Sequence, residues 1–318
     1  MAVVSLGAMA VAGTTTPEPA AADDELFFDL VGRDIEGTGI NSRFGSSVDL
    51  SADGTRMVIN GTGTGTFEEV TTRVSHRVRV VDWNGAAWTT VGKDIRIDSN
   101  AEQNESSVAI SDDGTRVVIS DPWSTSNSVL QSGRVQAYDW DGTDWVTAGS
   151  PIDGVSFNQL FGISIALSAD GSRLAVGASE HKEPGSVSVF EWNGTDWSQL
   201  GSALVGEDGL VDAGRAVALS ADGGRLALGG EVVRVFDWSG TAWTQVGDDI
   251  TARNASWRQR FGWDVTLSAD GQRRGVAARG DHMVFGVASV FDLIGGSWTA
   301  FVESVGPTVR SVRLSVDG

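Results

Sequence analysis

The sequence predicts an all-β fold, a β-propeller of four-stranded antiparallel blades, and three observations carry the prediction. A Ser-x-Asp-Gly turn recurs at Ser51, Ser111, Ser168, Ser220, Ser268 and Ser315, roughly every 47 to 60 residues, a propeller period rather than that of a helical solenoid. Each of the first five is followed by an aromatic, turn-bearing signature: "VVDWNGAAW" at Val80, "AYDWDGTDW" at Ala137, "VFEWNGTDW" at Val189, "VFDWSGTAW" at Val235 and "VFDLIGGSW" at Val290. Apolar side chains occupy both faces of these strands, as "SIALS" and "RLAVGA" show. A lone four-stranded sheet cannot bury two faces, whereas sheets stacked around an axis bury both and limit exposed edges.

The third unit shows the strands one by one. Ile163 to Ser168, Arg173 to Ala178, Ser186 to Trp192 and Trp197 to Leu204 are rich in β-branched and aromatic residues. Ala169-Asp170-Gly171 supplies the first hairpin turn, with a side chain that caps it and a glycine free to take positive φ. Asn193-Gly194 supplies the second. If that turn is a four-residue loop, Trp192 faces Trp197; if it has two residues, Phe190 does. The tryptophans read as blade-to-blade packing.

Applied along the chain, the pattern gives five complete blades at about 46–95, 106–152, 163–204, 215–250 and 263–303. A partial sixth combines an outer strand in 26–35, "FFDLVGRDI" from Phe27, with an inner strand and turn in 309–318. Its middle strands are not found, so the ring is expected to be incomplete and prone to self-association through exposed blade faces. Residues 1–25 stand apart. They read either as a secretory leader lacking its basic n-region or as a disordered tail.

Composition narrows the partners. The 318 residues carry a formal net charge of −19, with no cysteine. Such a surface repels phosphate backbones and anionic lipid, which excludes nucleic acid and stable membrane insertion as primary roles. Without cysteine there is neither a disulfide framework nor a thiolate metal site.

From Phe161 to Trp192, "FGISIALSADGSRLAVGA...GSVSVFEW" resembles FG-GAP repeats, the units of integrin-α-type propellers. Phe44-Gly45, Phe161-Gly162 and Phe261-Gly262 stand where that family has Phe-Gly, and "VGAS" from Val176 stands where it has Gly-Ala-Pro. The resemblance covers nearly everything after Glu25, although blades two and four lack the Phe-Gly pair and no unit keeps the proline. It implies an extracellular or cell-surface binding module, secreted behind a signal and active in cell adhesion. It also implies calcium in the first hairpin turns, but only one carboxylate per turn is present, at Asp53, Asp113, Asp170, Asp222 and Asp270. Calcium needs six or more oxygens, so weak binding at most is expected, and no cofactor. A weaker likeness is to WD-repeat proteins, whose Trp-Asp pair is reversed here at Asp82-Trp83, Asp139-Trp140 and Asp237-Trp238.

Irregular loops on a rigid scaffold are where binding resides, and here they are the second-to-third loops and the inter-blade links. The candidate ligand-binding residues on that face are Trp123, the basic and aromatic stretch Arg253, Trp257, Arg258 and Arg260, and Arg279 with Asp281 in an Arg-Gly-Asp tripeptide. For catalysis the chain offers three scattered histidines, His76, His181 and His282, and no nucleophile motif. The expectation is therefore a non-catalytic propeller that recognises a protein or glycan. Two alternatives stand beside it: a propeller hydrolase or lyase acting on polysaccharide, whose carboxylates would assemble from separate loops, and an intracellular scaffold.

Overall fold

The computed structural model describes residues 31–37, 43–63, 75–97, 106–179, 184–206, 212–251, 261–278, 286–306 and 311–314. Each recurring unit is one antiparallel meander. Blade one holds β1 (Val48–Leu50), β2 (Arg56–Gly63), β3 (Ser75–Trp83), β4 (Trp88–Thr90) and β5 (Ile95–Ile97). Blade two holds β6 (Val108–Ile110), β7 (Arg116–Asp121), β8 (Arg134–Trp140) and β9 (Trp145–Asp153). Blade three holds β10 (Phe161–Leu167), β11 (Arg173–Ala178), β12 (Ser186–Trp192), β13 (Trp197–Gln199) and β14 (Leu204–Val205). Blade four holds β15 (Ala216–Leu219), β16 (Arg225–Gly229), β17 (Arg234–Trp238) and β18 (Trp243–Gln245). Blade five holds β19 (Asp264–Leu267), β20 (Arg273–Ala278), β21 (Gly286–Ile294) and β22 (Ser297–Gly306). In blades one and three the outer strand is broken in two, and both pieces pair with the third strand.

The Ser-x-Asp-Gly turns are built alike. In blade one, Asp53 Oδ1 accepts from Ser51 Oγ at 2.7 Å and Thr55 N at 2.9 Å, while Ser51 Oγ accepts from Arg56 N at 2.9 Å. Gly54 completes the turn at φ 68°. Successive turns are laced together by backbone: Ala52 N donates to Asp112 O, Asp112 N to Ala169 O, Ala169 N to Ala221 O and Ala221 N to Ala269 O, at 2.8 to 3.0 Å. The result is a belt of hydrogen bonds running from blade to blade on the turn face.

In blades one to four the second hairpins are four-residue loops, which settles the aromatic pairing, whereas blade five turns through Gly295 and Gly296 alone. Trp83 faces Trp88, Trp140 faces Trp145, Trp192 faces Trp197 and Trp238 faces Trp243, each with ring centroids 5.4 Å apart. Except in blade three, where Trp197 Nε1 has no partner among the described residues, the second tryptophan reaches the blade before it. Trp145 Nε1 donates to Val91 O, Trp243 Nε1 to Leu200 O and Trp298 Nε1 to Val246 O. Each of those carbonyls precedes a glycine of positive φ, Gly92, Gly201 or Gly247, where a Cβ would collide with an indole of the next blade.

A second blade-to-blade device is an arginine that follows each turn. Arg56, Arg116, Arg173 and Arg225 each bind the Asp or Glu before the tryptophan of their own blade, and each donates Nη1 to the glycine carbonyl of the next blade's turn. Apolar packing fills the space between. Ala175, Val187 and Val189 of blade three meet Leu226 and Leu228 of blade four, and comparable clusters join the other neighbours.

The sixth blade is shared between the two ends of the chain. Trp88 Nε1 donates to Val31 O, so 31–37 lies where an outer strand belongs. Asp264 Oδ2 accepts from Val312 N at 2.9 Å and from Arg313 Nη1 at 2.6 Å, so 311–314 lies beside β19, where an inner strand belongs. Middle strands for this blade are not found among the described residues, and the flank of β1 shows the consequence. Val48 and Leu50 are 39% and 41% exposed, against 6% for their counterparts Val108 and Ile110.

Candidate functional site

Among the described residues, the long-loop face is represented best by the β7–β8 loop and the β9–β10 link, and here the chain departs from its repeat. At the end of β7 stands Asp121, where the other blades place Gly61, Ala178, Gly230 and Ala278. It is 3% exposed, and its register partner on β8 is Arg134.

The loop between them is held in one shape. Ser126 and Val129 close a tight turn through Asn127 and Ser128, at φ 50° and 66°, and Gln131 follows at 52°. Left-handed non-glycine residues cost free energy and cluster where surrounding contacts over-determine the backbone. Those contacts come from the link: Gly154 N donates to Gly133 O, Asn158 N to Leu130 O, Leu160 N to Gln131 O and Phe161 N to Ser132 O. Arg134 then pins the loop from within. Its Nε and Nη2 donate to Asp153 at 2.6 and 3.0 Å, and Nη2 also donates to Ser126 Oγ at 2.7 Å.

A cleft of about 300 Å³ opens between this assembly and β5 of blade one, lined among others by Arg96, Asp121, Ser124, Arg134 and Tyr138. Ser124 is 9% exposed, and its Oγ has no hydrogen-bond partner among the described residues. A buried hydroxyl left open toward a cleft is a place for a ligand atom. The hydrogen bond that Arg134 donates to Asp153 raises the Arg134 pKa, so the guanidinium stays charged. Burial pushes Asp153 up, but hydrogen bonds from Arg134 and Ser126 and the Arg134 charge outweigh it and hold the carboxyl below its usual range. Burial alone raises the Tyr138 phenol. The cleft thus joins a carboxyl group, two cations and the hydroxyls of Ser124, Thr125 and Tyr138.

Of the residues singled out by sequence, Trp123 lies in this loop. It is half-buried, not exposed for stacking, and its Nε1 has no partner among the described residues. Arg253, Trp257, Arg258, Arg260, Arg279 and Asp281 lie outside the described residues. Asp121, Ser124 and Arg134 were not anticipated. The available signal was a carboxylate in register with glycine and alanine of four other blades.

The turn carboxylates are occupied by their own caps, as at Asp113, which accepts from Ser111 Oγ and Thr115 N. Groups of three or more metal-ligating side chains are not found among the described residues. No described helix is long and apolar enough to cross a membrane.

No protein-family model and no curated protein matches the chain. Solved structures do. The periplasmic gluconolactonase of Pseudomonas aeruginosa is 17% identical, with 85% of this chain and 74% of that one covered and a TM-score of 0.58. A Bacteroides uniformis protein assigned as a 6-phosphogluconolactonase is 15% identical over 83% and 72%, with a TM-score of 0.53. Sqt1 of Chaetomium thermophilum, solved with the N-terminus of ribosomal protein L10, is 14% identical over 86% and 78%, with a TM-score of 0.55. At such identities the likeness establishes the fold.

These findings correct three expectations. The FG-GAP resemblance fails: no family model supports it, and the similar structures are lactonase-type and Sqt1 propellers. Its letters report blade geometry, because Gly45 and Gly162 adopt φ 84° and 94° and a Cβ on Gly61 would strike Phe44. The expectations of a non-catalytic adhesion module and of no enzyme fall as well, since propellers similar to this chain include proteins named for lactone hydrolysis. A missing linear motif carries no weight when a site assembles from strand ends and loops.

Proposed function

We propose that the chain is a hydrolase of small sugar-derived lactones or esters, working in the cleft between the first two blades. The observation that carries this reading is the buried Ser124 hydroxyl, open to a cleft that also holds Asp121 and Arg134. Asp121 takes a proton from water as its oxygen adds to the acyl carbon. Arg134 and Ser124 donate to the oxyanion that forms, and their placement is fixed before the substrate arrives. The ring or ester C–O bond then breaks, the proton on Asp121 passes to the departing alkoxide, and a hydroxy acid leaves.

Size and charge narrow the substrate. A cleft of about 300 Å³ is at the small end of ligand sites and suits one sugar unit rather than a polysaccharide chain. Arg96 and Arg134 favour an anionic or carboxylate-bearing compound despite the overall charge. No metal or cofactor is required. A location outside the cytoplasm fits the leader-like residues 1–25.

The test is turnover of a panel of aldonolactones and aryl esters, followed by proton release. Asp121→Asn should lower kcat by about a hundredfold or more with little change in KM. Turnover no faster than spontaneous hydrolysis, or an Asp121→Asn protein as active as wild type, would overturn the proposal.

A further inference from the structure

Among the described residues, the largest wholly buried side chain is a cation, Arg274, at 0% exposure. It stands second in β20, where blades one to four place Met57, Val117, Leu174 and Leu226. As Leu174 is paired with Phe190 and Leu226 with Phe236, so Arg274 is paired with Phe291. Along β20 it shares a face with Val276 and Ala278, which pack on Ala216, Ala218, Ala227 and Val235 of blade four. An arginine has therefore been set into an apolar seam between two blades.

The arginines one position earlier, at the head of each second strand, have carboxylates, and Arg273 takes Asp292 at 2.7 Å. Arg274 has none. Its Nε, Nη1 and Nη2 lack any hydrogen-bond partner among the described residues. The guanidinium carbon lies 3.8 Å from the centroid of Trp298 and 5.3 Å from that of Phe291. Burial lowers the pKa to about 9, which still leaves the group charged at neutral pH. Cation–π contact offsets only part of the cost of burying an unpaired ion. Five N–H donors also remain unmet, and water could satisfy some of them without neutralising the charge.

We infer that Arg274 is half of a buried ion pair, and that its partner is a small monovalent inorganic anion held between blades four and five. The apolar walls select for an ion that sheds water easily, so bromide and chloride bind ahead of fluoride, and divalent sulfate or phosphate is rejected. This site is separate from the cleft of blades one and two, and it acts on stability rather than turnover.

The experiment is thermal unfolding at neutral pH while sodium bromide replaces sodium fluoride at constant ionic strength. Wild-type Tm should rise with bromide and saturate, as ligand binding to the folded state requires. Arg274→Leu, which restores the residue of blades three and four, should lose the saturable rise. A crystal soaked in bromide should show an anomalous peak at hydrogen-bond distance from the guanidinium, a readout that stands even if the leucine variant folds poorly. A wild-type Tm indifferent to bromide, the same response in Arg274→Leu, or a guanidinium bonded only to water would overturn the inference.

Discussion

Replacing Arg116 by methionine isolates the arginine that ties one blade to the next, because methionine keeps the aliphatic stem and removes the guanidinium. In the folded protein that group is 12% exposed and donates Nε and Nη2 to Asp139 at 2.6 and 2.8 Å. Its Nη1 reaches the Gly171 carbonyl of blade three at 2.8 Å, and its carbon lies 4.6 Å above Trp192. The charge-assisted bond to the carbonyl contributes about 1.5–3 kcal/mol. Stacking on a half-buried indole adds roughly 0.5–1 kcal/mol. The Asp139 pair, whose carboxylate is 39% exposed, adds at most about 1 kcal/mol. Because these share one group they do not add fully, and a loss of about 3 kcal/mol is expected. Urea unfolding should show a lower midpoint at unchanged m-value, with Tm down by roughly 4–5 °C. Asp139→Asn, which keeps the inter-blade bond, should cost less than about 1 kcal/mol. If Arg116→Met costs no more than Asp139→Asn, the guanidinium is not joining the blades and the reasoning fails.

Three further outcomes follow from the same geometry. Burial raises the Asp49 pKa to about 6, against the pull of backbone N–H donors and Arg313 and with a smaller push from Asp112. The folded state thus keeps a proton between about pH 4 and 6 that the unfolded state has lost, and stability falls as pH rises through that window. Asp49→Asn should gain about 1–3 kcal/mol above pH 6 and nothing near pH 4, as checked by urea midpoints at both values. Ile110→Ser, at 6% exposure, should cost about 3–4 kcal/mol, and Leu50→Ser, at 41%, only about 1; equal losses would mean the β1 flank is covered in solution. Millimolar calcium should move Tm by less than about 1 °C, because each turn carboxylate is already engaged by its serine and backbone donors.

What could be read from the sequence was whatever the blade repeats. Turn glycines are legible because left-handed φ leaves few substitutes, and strand pairs are legible because β-branched runs flank them. The choice between Phe190 and Trp192 as partner of Trp197 was not, since both lie on one short strand and only the loop length decides. The arginine clamp was hidden in plain view. Arg56, Arg116, Arg173, Arg225 and Arg273 all stand two residues after Asp-Gly, but a charge at the head of a strand reads as solvated until its acceptor in another blade is known. The cleft was less legible still, because Arg96, Asp121 and Tyr138 come from three strands of two blades.

The same repeat supplies a way to separate structure from function. Among the polar residues that break it in register are Asp49 against Ala109, Ala166, Ala218 and Thr266, Asp121 against glycine and alanine, and Arg274 against Met57, Val117, Leu174 and Leu226. A residue that serves the blade should be costly to replace by what the other blades use, whereas one retained for another purpose should be neutral or gain stability. Arg274→Leu in fluoride should therefore match or exceed wild type in Tm, and Asp121→Ala should lose turnover far more than it loses stability. The contrast with Arg116, where the repeat is kept, is what gives the comparison its force. If both reversions destabilise as much as Arg116→Met, these side chains belong to the packing, and neither the cleft nor the anion seam survives as a site.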